Sequence, residues 1–117
     1  MKTYITILKG DVLGEDLYTS TDWTAPYFPR VGDLFSYGFL DANINPDDLY
    51  MALPDEKRKK WKDWLDRHGN GMSEEAKKRA VLNLWLNEWQ FRISDIYWDQ
   101  NVDSEYFADV YVRIEDF

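Results

Sequence analysis

The spacing of apolar residues changes twice along the chain, and this change constrains the fold more than any other feature. In KTYITIL, residues 2–8, Ile5 and Ile7 alternate with polar or aromatic neighbours, which is typical of a half-buried β-strand. Between residues 45 and 90 the apolar residues recur every three or four positions, as on one face of an amphipathic helix. The alternation then returns. The chain therefore reads as strands, helices and strands.

Two more strands are predicted before the helices. Residues 10–26 are rich in Gly, Asp, Ser and Thr, so we interpret them as a long connection that holds a short strand around Leu17 and Tyr18. In DLFSYGF, residues 33–39, the aromatic residues fall at every second position, which predicts a further strand. These aromatics are Phe35, Tyr37 and Phe39.

Capping residues indicate where the helices begin. Asn45 is a predicted N-cap, because Pro46 suits the first helical position. Asp55 after Pro54 is the predicted cap of a second helix, and Ser73 is the predicted cap of the last one.

Two of the predicted helices differ in their apolar faces. The helix from residue 55 has a single apolar side, formed by Trp61, Trp64, Leu65 and His68. The helix from residue 74 is apolar on more than one side, so we expect Trp85 to be buried between the preceding helix and the sheet.

Two C-terminal strands, FRISDIYW and YFADVYVRI, complete the pattern. In the second strand Asp109 is predicted to face outward, while the residues beside it face the core. We therefore predict an α+β fold, in which a small, strongly bent and mainly antiparallel sheet or barrel carries a helical insertion. We expect one domain over residues 1–117. Its parts are strands and turns over 1–44, the helical insertion over 45–90 and the C-terminal strand pair over 91–117.

The composition argues against several classes of protein. The chain has no cysteine, which excludes disulfides, thiolate zinc sites and a cysteine nucleophile. No apolar stretch approaches the ~20 residues that span a bilayer, and the N-terminal residues lack a signal-peptide pattern. We expect a soluble protein, and a cytoplasmic one because a reducing compartment suits a chain without cysteine.

The net charge of −8 is unevenly distributed along the chain. Residues 56–79 carry nine bases and five acids, whereas residues 95–117 carry seven acids and one base. Nucleic acid and anionic membranes would repel such a molecule at long range, so we expect neither as a partner. The alternative interpretation is that these charges only keep an aromatic-rich protein in solution.

The sequence shows no recognisable set of catalytic residues. The single histidine, His68, lies near a helix end, where packing or capping explains it. DQNVDSE, residues 99–105, resembles the start of a calcium loop but lacks the glycine and the bidentate glutamate of an EF-hand. GDVLG lacks the remainder of a phosphate-binding loop. We predict no catalytic residue, no metal and no cofactor, although a pair of carboxylates acting on a glycan stays open.

The segment YFPRVGDLFSYGF, residues 27–39, has the composition of a turn. Pro29 fixes φ, Gly32 permits a positive φ and Asp33 can accept a hydrogen bond from its own backbone. Arg30 is the one residue that the turn does not require. It is free to pair with a carboxylate or to hold an anionic ligand.

Two functional hypotheses follow. The first is a small acidic interaction protein (an inhibitor, immunity-type or adaptor module) that docks on a basic protein partner. Its predicted contact residues are Asp99, Asp103, Glu105, Asp109 and Trp98. The second is a binding domain or hydrolase for a small polar ligand such as a glycan, because loop aromatics beside charged groups suit sugar stacking. Its predicted contact residues are Trp23, Tyr27, Arg30 and Trp98. Both hypotheses leave the oligomeric state open.

Overall fold

The computed structural model describes residues 1–103 and 105–117, and within them it contains four helices and a four-stranded sheet. The α+β prediction is therefore confirmed. In chain order the elements are β1 (Lys2–Ile7), β2 (Leu17–Asp22), α1 (Tyr37–Asn43), α2 (Pro46–Ala52), α3 (Asp55–His68), α4 (Glu74–Leu86), β3 (Gln90–Gln100) and β4 (Tyr106–Glu115). None of the described helices is long and apolar enough to cross a membrane.

The sheet is open and mixed, with the strand order β2-β1-β4-β3. The β1–β2 and β3–β4 pairs are antiparallel, whereas the central β1–β4 pair is parallel. The predicted barrel is wrong, because β2 and β3 lie at opposite edges and do not pair with each other. The parallel pair arises because the last hairpin returns to the sheet with its second strand, β4, beside β1.

The segment at residues 33–39 does not form the predicted strand. Leu34 makes only an isolated bridge with Arg92, and α1 begins at Tyr37. Ser36 is the N-cap, and its hydroxyl oxygen accepts a hydrogen bond from the backbone N–H of Phe39 at 3.2 Å. Phe35 and Phe39 stack with a centroid distance of 4.8 Å. Their spacing fits both a period of two and one helical turn, so the alternation alone was ambiguous.

Two of the three predicted N-caps, Asn45 and Ser73, are confirmed. Asn45 caps α2 by accepting from the N–H of Asp47 at 2.9 Å, with Pro46 at the first helical position. Ser73 caps α4 by accepting from the N–H of Ala76 at 3.1 Å. Asp55 is not the cap of α3, because Pro54 occupies that position without a side-chain hydrogen bond.

The core lies on the side of the sheet that the helices cover. Trp85 on α4 is 1% exposed, which confirms that it is buried. Its ring lies 5.3 Å from the ring of Phe91 on β3. The predicted neighbour of α4 was wrong, because this helix packs mainly against α1 and α2 and not against the preceding helix α3. Helix α3 contributes less, since Trp61 is its one buried residue. The strands contribute alternate apolar residues, namely Ile5, Ile7, Leu17, Phe91, Ile93, Ala108, Val110 and Val112.

An ion pair joins the two helices α2 and α4 at the surface. The ammonium group of Lys78 contacts the carboxylate of Asp47. The hydrogen bond that the Lys78 ammonium group donates to this carboxylate, together with the charge of the carboxylate, raises the pKa of Lys78 above its ordinary value of 10.5. Because that pKa is raised on folding, the pair's contribution is present below pH 10.5 and is lost as the pH rises through the folded-state pKa. The side chains are exposed, so the pair contributes little to stability.

Candidate interaction surface

The sheet has a second face that none of the described helices covers, which we call the outer face. A β-bulge between Ile93 and Asp95 sets which β3 residues lie on it. Beyond the bulge, Ile96 is in register with the buried Val110, so Tyr97 points to the opposite side. The outer face comprises Lys2, Tyr4, Thr6, Tyr18, Ser20, Asp22, Arg92, Asp95, Tyr97, Asp99, Phe107, Asp109, Tyr111 and Arg113.

The aromatic side chains of the outer face are held in two edge-to-face pairs. Tyr4 and Phe107 have ring centroids 5.7 Å apart and planes at 85°, and Tyr97 and Tyr111 show the same distance and angle. This geometry is the favoured one for aromatic rings. Tyr4 is nevertheless 45% exposed and Tyr97 is 59% exposed. These aromatics therefore offer apolar area in fixed positions without being part of the core.

Carboxylates lie between and beside these rings. Asp109 is half-buried on β4, with Tyr4 and Tyr97 as its cross-strand neighbours. Asp99 is exposed on β3, opposite Phe107. A depression of about 730 Å³ lies at the end of the sheet where β1 and β4 begin, and both Glu105 and Asp109 line it. It is lined by Met1, Lys2, Tyr4, Asp22, Asn101, Glu105, Tyr106, Phe107 and Asp109.

The turn between β3 and β4 is organised by Asn101. Its side-chain oxygen accepts hydrogen bonds from the backbone N–H groups of Asp103 at 2.9 Å and Glu105 at 3.0 Å. Its own backbone N–H donates to the carbonyl oxygen of Glu105 at 2.9 Å. Asn101 thus holds two of the predicted contact residues in place. The sequence-based interpretation of residues 99–105 missed this role, although asparagine at this position is typical of an Asx turn.

The four predicted contact acids have no basic partner within the described residues. Asp99, Asp103, Glu105 and Asp109 are absent from the ion pairs that those residues form. Lys2 is the base of the outer face at the end of the sheet where β1 and β4 begin, and its ammonium group lies 5.9 Å from the centroid of the Tyr4 ring. Arg92, which is further along the face, pairs with Glu115. The end of the sheet therefore carries a net negative charge. The described residues contain no group of three or more acidic or histidine side chains that could hold a metal ion.

Trp98 does not lie with these acids. It is in register with the buried Ala108, so its side chain points to the helix side of the sheet. Its ring lies 4.6 Å from Phe28, which in turn lies 5.2 Å from Trp23. Trp98 is 56% exposed and stands at one end of this row of three aromatic rings.

The residues of the second hypothesis gather at the same end of the sheet, on the helix side. Trp23, Tyr27 and Arg30 line a depression of about 580 Å³. The indole N–H of Trp23 donates to the carbonyl oxygen of Tyr27 at 2.8 Å, which fixes the indole against this loop. The other residues that line the depression are Pro26, Phe28, Pro29 and Asp33.

The segment beside this depression is a turn, as the sequence predicted. The Asp33 carboxylate accepts from the backbone N–H of Arg30 at 2.8 Å, and Gly32 has a φ of 96°. The N–H of Gly32 donates to the carbonyl of Ile93 at 2.8 Å, which attaches the turn to β3. Asp33 is the one carboxylate among the lining residues. The depression therefore lacks the pair of carboxylates that glycoside hydrolysis requires.

The remaining residue considered for chemistry, His68, is exposed at the end of α3. Its ring lies 5.0 Å from the ring of Trp64, within the same helix. This contact is a packing contact.

No protein-family model, no curated protein and no solved structure matches this chain. The geometry of the surface is therefore the basis for a functional proposal.

Proposed function

We propose that the protein is a small acidic interaction module, of the inhibitor, immunity or adaptor kind, which docks a basic protein partner on the outer face. One observation supports this most strongly. The sheet has a face that no described helix covers, and it carries exposed aromatic pairs among carboxylates that lack basic partners. A cytoplasmic location belongs to the same proposal, because the chain has no cysteine.

The aromatic pairs and the carboxylates have separate roles in this proposal. Rings that are already fixed against each other lose little side-chain entropy on binding, so Tyr4 and Tyr97 suit the centre of an interface. Exposed acids at the rim act mainly on the rate of association, because they attract a cationic partner before contact. Asp99, Asp103 and Glu105 are exposed in this way.

Asp109 has an intermediate position between centre and rim. It is half-buried between the cross-strand neighbours Tyr4 and Tyr97. A guanidinium group of the partner that reached Asp109 would contact a carboxylate and two aromatic faces together. Arginine matches such a site better than lysine, because its planar group stacks on rings and pairs with carboxylates in a bidentate manner.

Site-specific photo-crosslinking tests whether a basic partner contacts the outer face. A benzophenone amino acid replaces Tyr97 in one variant and Lys62 in the control. Lys62 is exposed and lies on α3, away from the outer face and from β2. Irradiation in host cells should attach a basic protein to the Tyr97 variant and not to the Lys62 variant. Equal labelling at both positions, or capture only of acidic proteins at Tyr97, would contradict the proposal.

A second candidate function is the binding of a small polar ligand such as a glycan in the depression on the helix side. The observation in its favour is the convergence of Trp23, Tyr27 and Arg30. Arg30 forms no ion pair among the described residues. With Asp33 as the one lining carboxylate, this candidate is a binding function without hydrolysis.

Tryptophan fluorescence can test this candidate with soluble oligosaccharides as probes. Tyr27→Ala is the informative variant, because Tyr27 is 84% exposed and its removal should not disturb folding. A saturable change in the wild type that weakens about tenfold in Tyr27→Ala would support binding, since stacking of a sugar on a ring is lost. An unaltered spectrum with every probe would exclude the tested sugars.

A further inference from the structure

The two edges of the sheet differ in how well they are protected against pairing with another chain. An unpaired edge is a template for an added strand, and proteins usually block it with bulges, proline, lysine or a covering segment. The β3 edge is blocked in this way over residues 91–93. Gly32 and Phe35 donate to the carbonyls of Ile93 and Phe91, and the bulge follows immediately after Ile93.

The β2 edge has none of these devices. Its sequence LYTSTD contains no proline, lysine or arginine, and its register with β1 is continuous. No described segment pairs with its other side, because β2 is the first strand in the sheet order. Six residues are enough to present several backbone groups to another strand.

The backbone groups that point to this free edge follow from the register. Met1 and Trp23 exchange two hydrogen bonds. The N–H of Trp23 donates to the carbonyl oxygen of Met1 at 2.8 Å, and the amino group of Met1 donates to the carbonyl oxygen of Trp23 at 3.0 Å. In an antiparallel pair, hydrogen-bonded and non-bonded positions alternate. Thr21, Thr19 and Leu17 therefore bond to β1. The N–H and C=O groups of Tyr18, Ser20 and Asp22 point away from it.

The surroundings of the β2 edge are acidic. At its start, a depression of about 340 Å³ is lined by Glu15, Asp16, Leu17, Tyr18, Asp48 and Met51, among which there is no base. Glu15 and Asp48 make no ion pair with any described residue. Asp22 lies at the other end of the strand. Tyr18 and Met51, each 65% exposed, provide apolar contact area beside the acids.

We infer that the β2 edge accepts an extended segment of a protein partner, rich in lysine or arginine, as a fifth strand of the sheet. Backbone hydrogen bonds to Tyr18, Ser20 and Asp22 supply affinity, and basic side chains reach Glu15 and Asp48. A second copy of this chain fits less well, because its own acids would approach those acids and each copy carries a net charge of −8. The inference rests on the proposed function only for the basic character of the partner, since it concerns the backbone edge of β2 and not the side chains of the outer face.

The probe for this inference is an octapeptide of alternating lysine and valine that is blocked at both ends. The protein is titrated with this peptide, and binding is followed through the backbone amide signals of the protein in NMR spectra. In the wild type the amide signals of Tyr18, Ser20 and Asp22 should shift most. Ser20→Pro removes the outward N–H of residue 20 and leaves the β1 hydrogen bonds in place. It should weaken binding about tenfold.

Two controls make the result decisive. Ser20→Ala keeps the N–H and should bind as the wild type does, whereas a glutamate-valine octapeptide should not bind. Equal binding by Ser20→Pro and Ser20→Ala would overturn the inference. Amide shifts confined to β3 and β4, or a concentration-dependent dimer that forms without peptide, would overturn it as well. Those outcomes leave the proposed function intact, because its own test reads crosslinking at Tyr97.

Discussion

At the scale of single residues, the side chain of Trp85 is central to the packing of the helices on the sheet. It is 1% exposed and contacts Phe91 across the interface between α4 and β3. We expect Trp85→Ala to lower the free energy of unfolding by about 3–5 kcal/mol, because it removes apolar contacts and leaves a cavity. Urea denaturation measures this change. Tyr27→Ala is the control, and a midpoint equal in both variants would show that Trp85 is not a core residue.

Asn101 is expected to control the turn that presents two of the contact acids. Asn101→Ala removes the oxygen that accepts from Asp103 and Glu105. We expect a loss of about 0.5–1.5 kcal/mol in stability and faster hydrogen exchange at both amides. Asn101→Asp keeps an acceptor and should retain the protection. Unchanged exchange rates in Asn101→Ala would show that the turn holds its shape without this side chain.

The capping residues show what the sequence reveals at this scale. Asn45 and Ser73 were identifiable because a short polar side chain precedes Pro46 or an acidic first turn. Ser36 was missed because the aromatics around it satisfy the periods of strand and helix alike. Contacts between residues distant in sequence decide whether a strand or a helix forms here. The hydroxyl of Tyr37 on α1 and the amide of Asn83 on α4, 2.6 Å apart, are one of them.

At the scale of elements, Ser36 gives a direct test of α1. Ser36→Ala removes the hydroxyl that accepts from Phe39 and should cost about 1 kcal/mol, whereas Ser36→Asp should preserve the cap. Urea midpoints of the two variants provide the comparison. If both variants lost stability equally, the contribution of Ser36 would not come from capping.

The bulge in β3 gives this strand a facing that its sequence does not predict. Simple alternation from Phe91 and Ile93 would place Tyr97 inward and Trp98 outward. The bulge between Ile93 and Asp95 reverses the order, so that Tyr97 joins the outer face and Trp98 contacts Phe28. A bulge inserts one residue without a distinctive sequence signal, and strand pairing depends on which chain segment lies alongside. For the same reason the parallel β1–β4 pair was not predictable from the local pattern.

At the scale of the whole molecule, the acidic C-terminal region and the aromatic residues meet at one end of the sheet. The sequence located the acids, because Asp99, Asp103 and Glu105 fall in or beside a turn and Asp109 alternates with core residues. It did not reveal Tyr4 as their neighbour, since β1 and β4 are separated by most of the chain. The composition of the surface was thus readable, whereas its arrangement required the fold.

The central claim is that these acids steer a basic partner to the outer face. The most direct test compares association rates of the crosslinked partner, once purified, with two variants of equal net charge. The first variant carries Asp99→Asn, Asp103→Asn, Glu105→Gln and Asp109→Asn. The control neutralises Asp11, Glu56, Asp63 and Asp66, which are exposed away from the outer face. Urea midpoints establish that both variants fold.

The first variant should associate about tenfold more slowly than the control at low salt, and its rate should depend much less on ionic strength. The control should retain the salt dependence of the wild type, because its acids act from beyond the interface. Equal association rates for the two variants at low salt would contradict the account, since total charge and not the outer face would then govern capture.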